Sequence, residues 1–209
     1  MEIEYKGANS LVIKVGSLNI VLNPKLSIYG QKDLKVDSAV ELATESELAI
    51  EGNEKILITG PGEYEVSGVS IRGIAAQIYG ENKSTDHTTI YKLDVAGYRL
   101  AVIGRIAPKL SEDQLESIGI VDILAVPVGG NNYTLDAHEA AGVTRQIDPK
   151  IVIPIHYHDS AISYQVAQNN PDDFLASLGA NQHEVVDKLK LKPGAGLPEV
   201  LRVIELKRT

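Results

Sequence analysis

The chain of 209 residues has no cysteine, no tryptophan, one phenylalanine and one methionine. Without cysteine there is no disulfide framework, thiolate zinc site, iron–sulfur cluster or cysteine nucleophile, so metal chemistry would have to rest on His, Asp and Glu. Histidine is scarce as well: there are five, and none precedes His87. No apolar run approaches the roughly 20 residues that cross a bilayer. The opening Met1-Glu2-Ile3-Glu4-Tyr5-Lys6 alternates acidic and apolar residues, unlike a signal peptide. These features predict a soluble cytoplasmic protein with no membrane partner. Positive charge is in deficit, 20 Lys plus Arg against 28 Asp plus Glu for a net −8, and the basic residues are scattered. Such a surface repels a phosphate backbone, so no nucleic acid is expected as a partner.

Hydrophobic residues make up 44% of the chain, enough for a real core, and no linker or low-complexity stretch divides it. A single domain over 1-209 is expected. In the first hundred residues, β-branched runs alternate with turn residues: Ile3 to Tyr5, Leu11 to Val15, Asn19 to Leu22, Lys55 to Thr59, Val69 to Ile74, Thr88 to Leu93 and Arg99 to Ile103. This half reads as an antiparallel sheet. From Ser111 onward, helices with legible ends alternate with strands. Ser111-Glu112-Asp113-Gln114 is a capping-box pattern with Gly119 as its stop. Thr134 is placed to cap a helix from Leu135 to about Gln146. Asn170-Pro171-Asp172-Asp173 supplies a cap, a first-turn proline and two acids for a third helix ending at Gly179. Val121 to Val126 and Ile151 to Ile155 read as strands buried on both faces, with Glu184 to Leu191 and Val200 to Leu206 as the last two strands. The pattern predicts mixed sheets covered by helices, an α/β or α+β layered sandwich.

Several phrases fall in a telling order: Tyr5 through Ile13 with Ile20-Val21-Leu22-Asn23-Pro24, Gly60 through Val69, Leu110 through Leu115, Pro127-Val128-Gly129-Gly130, Tyr133 through Ala137, and Pro149 through Tyr157. Together they resemble the metallo-β-lactamase-fold hydrolases, in the zinc-dependent branch akin to the ascorbate-6-phosphate lactonase group. The resemblance covers nearly the whole chain. It implies an αββα sandwich of two mixed β-sheets flanked by helices, with a dinuclear metal site at one edge. It also implies ligands from a His-x-His-x-Asp-His cluster, a mid-chain His, an Asp in a Gly-Asp turn and a late His. Carried over, the cluster falls on Ala43, Glu45, Glu47 and Leu48, the mid-chain position within Gly73 to Tyr79, and the Gly-Asp turn on Gly104-Arg105. Only His156 matches.

The chemistry agrees. A zinc pair needs several imidazole or carboxylate donors at about 2.0–2.2 Å, whereas an arginine has no lone pair to offer at neutral pH. Arg105 would also set a permanent positive charge beside any cation. The expected function is therefore a fold retained without its dinuclear site, a non-catalytic binding or scaffolding module with no cofactor. The alternative is a hydrolase of a phosphorylated or lactone-like small molecule, working with one divalent metal (Zn, Mn or Mg) in a reduced site around His156. Whether it is an enzyme stays open. Its partner would be a small molecule or a protein, with homo-oligomerisation also open.

Each candidate has a plain reading beside its functional one. His156 and His158 would share a face if the strand continued, giving half a mononuclear site, or else one is buried and the other solvated. Glu45 and Glu47 offer carboxylates to a hard cation, or belong to a solvated acidic turn. Arg105 is expected either to pair with Glu45 or Glu47 across the vacated site or to be an exposed turn residue. The glycine-rich loops containing Glu63-Tyr64 and Val128 to Tyr133 would rim the pocket, or are simply turns. Ser111 is explained by its cap, and no nucleophile elbow exists.

Overall fold

The computed structural model describes residues 1–52, 54–80 and 87–209. In chain order its strands are β1 (Glu2–Gly7), β2 (Ser10–Val15), β3 (Leu18–Leu22), β4 (Val40–Leu42), β5 (Ile56–Ile58), β6 (Gly62–Val66), β7 (Val69–Gln77), β8 (His87–Val95), β9 (Tyr98–Val102), β10 (Ile123–Pro127), β11 (Ile151–Ile155), β12 (His183–Val186), β13 (Leu189–Lys190) and β14 (Arg202–Leu206). The helices are α1 (Glu112–Ile118), α2 (Ala137–Ile147) and α3 (Asp172–Leu178), with single 3₁₀ turns at Leu26–Tyr29 and Ser46–Leu48. A six-stranded sheet runs β13-β1-β2-β3-β4-β5 and an eight-stranded sheet runs β12-β14-β11-β10-β9-β8-β7-β6.

Side chains alternate across each pleat. In the smaller sheet, Leu11, Ile13, Ile20 and Leu22 enter the core shared with the larger sheet. Val12 and Val21 point the other way and are covered by Ala39, Leu34 and Val36 from the loop that follows β3. Helices α1 and α2 pack on β7 and β10 of the larger sheet, and α3 packs on α2. Two mixed sheets with flanking helices are the architecture that the resemblance implied, with an irregular segment covering the outer face of the smaller sheet. Every residue of β10 and β11 is buried, as a parallel pair covered on both faces requires.

The first hundred residues do not form one antiparallel sheet. They split between both sheets, and β3-β4-β5 pair in parallel. β-Branched runs signal strands but not their partners, and the connections 23–39 and 43–55 are long enough to carry the chain back to the same end. Strands β4 and β6 fall where the sequence pattern shows none, because each is short and lies in acidic or glycine-flanked sequence. The capping box of Ser111 and Gln114 forms as expected. Helix α2 is capped by Asp136 instead of Thr134: Asp136 Oδ1 accepts from His138 and Glu139 N–H, while Glu139 reaches back to the Asp136 N–H. Thr134 instead accepts from the Gly130 N–H at 3.0 Å. At α3 the first-turn acids are present, but Pro171 occupies the cap position and no side chain closes it.

Candidate functional site

Strands β3 and β4 of one sheet and β9, β10 and β11 of the other are parallel within their sheets, so the loops at their C-terminal ends gather at one edge. A polar clamp builds the side belonging to the smaller sheet. Asn23, held at φ 51°, accepts at Oδ1 from Thr44 N–H (2.8 Å) and Thr44 Oγ1 (3.1 Å), and donates from Nδ2 to Asn9 O (2.9 Å). Thr44 carries the contact to the other sheet, accepting at its carbonyl from Thr89 N–H at 2.8 Å and Thr88 Oγ1 at 3.1 Å. Gly104 fits this junction because a Cβ there would lie 2.9 Å from Thr44 Oγ1 and Thr88 Oγ1. That close approach sets Arg105 directly over the 44–47 turn.

Arg105 and Glu45 form a fork-to-carboxylate pair. Nε donates to both Glu45 oxygens at 3.1 Å and Nη2 donates to Oε2 at 2.5 Å. The side chains are 18% and 7% exposed, so the pair is shielded, while Glu47, 65% exposed, stands 3.9 Å from Nη2. Burial alone would lower the Arg105 pKa, but the bonds and charge of Glu45 outweigh it and hold the guanidinium more firmly protonated than usual. The guanidinium carbon also lies 4.4 Å from the centre of the Tyr133 ring, a cation–π contact.

His156 ends β11 in the left-handed region at φ 49°, its N–H donating to Ala8 O at 2.8 Å and approaching Tyr5 Oη at 3.2 Å. This turn ends the extended run, so His156 and His158 do not share a strand face. His156 is fully buried, whereas His158 is exposed and bonds through its backbone N–H to Asn169 O. The imidazole is boxed by three phenol rings: Tyr133 stacks at 5.5 Å, Tyr164 tilts at 5.1 Å and Tyr29 meets it edge-on at 5.9 Å. Neither ring nitrogen meets a hydrogen-bond partner among the described residues. Burial first, and then the charge of Arg105, push its pKa down to about 3, so the ring is neutral at physiological pH. Close packing beneath the box is enforced at Gly129, where a Cβ would lie 2.4 Å from His156 O.

The structure thus brings Arg105, Glu45, Glu47 and His156 to one edge. Glu63 and Tyr64 take no part in these contacts: Glu63 pairs with Arg72 at 2.9 Å, and Tyr64 Oη turns back to Pro61 O at 3.2 Å on edge strand β6. The sequence reading missed the aromatic box. Tyr29 and Tyr164 lie in segments without periodicity, and Tyr133 falls in a resemblance phrase and a glycine-rich loop expected to rim the pocket, with no ring contact to His156 foreseen. The available signal was compositional, nine tyrosines against one phenylalanine. Among the described residues, no three His, Asp or Glu side chains converge on a point that could hold a metal ion.

The family description "Beta-lactamase superfamily domain" matches residues 2–156. A metal-dependent hydrolase of Lysinibacillus sphaericus is 27% identical over 198 residues, covering 76% of this chain and 86% of its own. Another, from Thermoplasma acidophilum, is 25% identical over 166 residues, covering 75% of this chain but only 63% of the relative, so the chain spans just under two thirds of that protein. A crystal structure from Thermotoga maritima, described as a candidate zinc-dependent hydrolase of the metallo-β-lactamase superfamily, superposes with a TM-score of 0.76 at 24% identity, covering 98% and 97% of the two chains. Backed by the family match over most of its length and by two facing mixed sheets, the chain belongs to the metallo-β-lactamase superfamily.

Proposed function

We propose that this chain is a non-catalytic member of its superfamily, nearest in sequence phrasing to the lactonase-like branch, acting as a binding or scaffolding module in the cytoplasm. The observation that carries this reading is the shielded Arg105–Glu45 pair at the edge where the resemblance calls for metal ligands. The donor set does not fit a metal ion: a guanidinium has no lone pair, Glu45 is taken by it, and the remaining imidazole is enclosed by tyrosines. The test is elemental analysis of protein purified without added metal. Far less than one metal per chain is expected, and near-stoichiometric zinc, manganese or iron would overturn the reading.

The second reading is a hydrolase of a phosphorylated or lactone-like small molecule with one divalent metal near His156. It is favoured by the relatives described as metal-dependent hydrolases. It requires metal-dependent turnover on esters, lactones or phosphodiesters that is lost in His156→Ala, and flat rates across all three classes would sink it.

A further inference from the structure

Strand β11 has a second end. Ile151 contributes to a cleft of about 400 Å3 where β12, β13 and β14 meet the connection through Leu197 and Pro198. That connection is held in place by Tyr98, whose hydroxyl donates to Lys192 O at 2.6 Å and lies 3.2 Å from Ala195 O. Val186, Leu189, Leu191 and Leu197 line the cleft and are only half-buried, so apolar surface that would normally be covered is left facing an opening.

The rim carries three cations. In a chain of net charge −8, Lys188, Lys190 and Arg202 line this cleft together with Glu184, and Glu2 lies beside the two lysines. Two of these cations are already answered: Lys188 holds Glu2 at 2.9 Å and Lys190 stands 3.6 Å from it. Arg202 is different. Among the described residues, its guanidinium is engaged only through Nε, on Gln182 Oε1 at 3.3 Å, which leaves both Nη nitrogens of the planar fork open.

We propose that this cleft binds a medium-chain fatty acid, its alkyl tail against the half-buried leucines and its carboxylate on the Arg202 fork. An arginine fork matches a carboxylate in shape as well as in charge. The half-buried Val186, Leu189, Leu191 and Leu197 side chains offer apolar contact to a single extended tail beside the Arg202 fork. Neither Arg105 nor His156 lines the cleft, so this site and the metal-edge reading are independent of each other.

The experiment titrates the full chain with sodium decanoate, with decanol and decylamine as matched controls, by calorimetry and thermal shift. Saturable one-to-one binding of decanoate that raises the apparent Tm is expected, because a ligand selective for the native state must stabilise it. Arg202→Glu should weaken that binding roughly tenfold, the scale of losing a charged hydrogen bond. Arg202→Gln, which removes the charge and the fork without introducing a negative charge, repeats the measurement if the reversed charge impairs folding. The proposal is overturned by a lack of saturable decanoate binding, by equal responses to all three compounds, by unchanged affinity in both Arg202 variants, or by binding to anionic vesicles but not to monomeric decanoate.

Discussion

The two ends of β11 solve opposite packing problems. At its C-terminal end, loops from both sheets converge, and an ion pair, a buried imidazole and three phenol rings pack together. At its N-terminal end the sheet edges leave leucines half-covered. The strand is short, about 3.3 Å of rise per residue, and wholly buried between these ends. The contrast teaches that one buried strand can carry a shielded, polar-and-aromatic cluster at one end and leave apolar side chains half-covered at the other. At the C-terminal end the positive charge is carried by a side chain, Arg105, held on the Glu45 carboxylate.

The contrast breaks first at Arg105. Arg105→Ala leaves Glu45 buried without its partner and is expected to cost about 3–5 kcal/mol, the range for orphaning one member of a buried pair. Arg105→Met with Glu45→Leu should recover most of that loss, since apolar replacements of similar volume carry no uncompensated charge. Urea denaturation of the single and double variants measures both. If Arg105→Ala costs less than about 1 kcal/mol, the pair behaves as a surface bridge and the edge is not core.

The next effect is pH dependence. The folded-state pKa of His156, about 3, lies below its usual 6.5. The unfolded chain therefore takes up a proton that the folded chain refuses, and stability falls as pH drops from 6.5 towards 3 by up to about 1.4 kcal/mol per unit. Glu4, whose pKa is held near 2 by hydrogen bonds from Lys14 and Lys6, adds a loss in the same direction from pH 4.5 towards 2. Between pH 6.5 and 5, a slope that persists undiminished in His156→Asn would assign the effect elsewhere; asparagine is chosen because it tolerates the left-handed backbone.

Smaller effects sharpen the comparison. Glu47→Ala should cost between zero and about 1 kcal/mol, because its carboxylate is largely solvated and 3.9 Å from Arg105. At the other end, Arg202→Glu should change stability by about 0.5 kcal/mol or less, as expected for an exposed residue whose removal orphans nothing buried. A cost near that of Arg105→Ala would mean that the cleft rim, too, is structural.

The sequence made the layers readable because periodicity and caps are local. The run Val121 to Val126 and the Ser111 box need no knowledge of the rest of the chain, and both appear near their expected places. Strand pairing was not readable, since β3, β4 and β5 become parallel neighbours through long loops that carry no pattern. At the edge, the opposite charges of Arg105 and Glu45 suggested a pair because the resemblance put both at one centre. The box of Tyr29, Tyr133 and Tyr164 did not emerge, because aromatic rings far apart in sequence mark no location until the fold assembles them. The cleft was invisible for a related reason: Leu189, Leu191 and Leu197 look like ordinary core residues, and only the divergence of the sheet edges leaves them uncovered.

The wide sequence separation across the closed edge also bears on the order of folding. Arg105 meets Glu45 across 60 residues, and His156 meets Tyr5 across 151. Loops that long close late, after the local hairpins are in place. We therefore expect the edge to be unformed in the folding transition state, so that Arg105→Ala accelerates unfolding while leaving the refolding rate nearly unchanged in stopped-flow measurements. In that case the ion pair acts as a latch on the finished protein, setting how long a folded molecule lasts more than how quickly one is made.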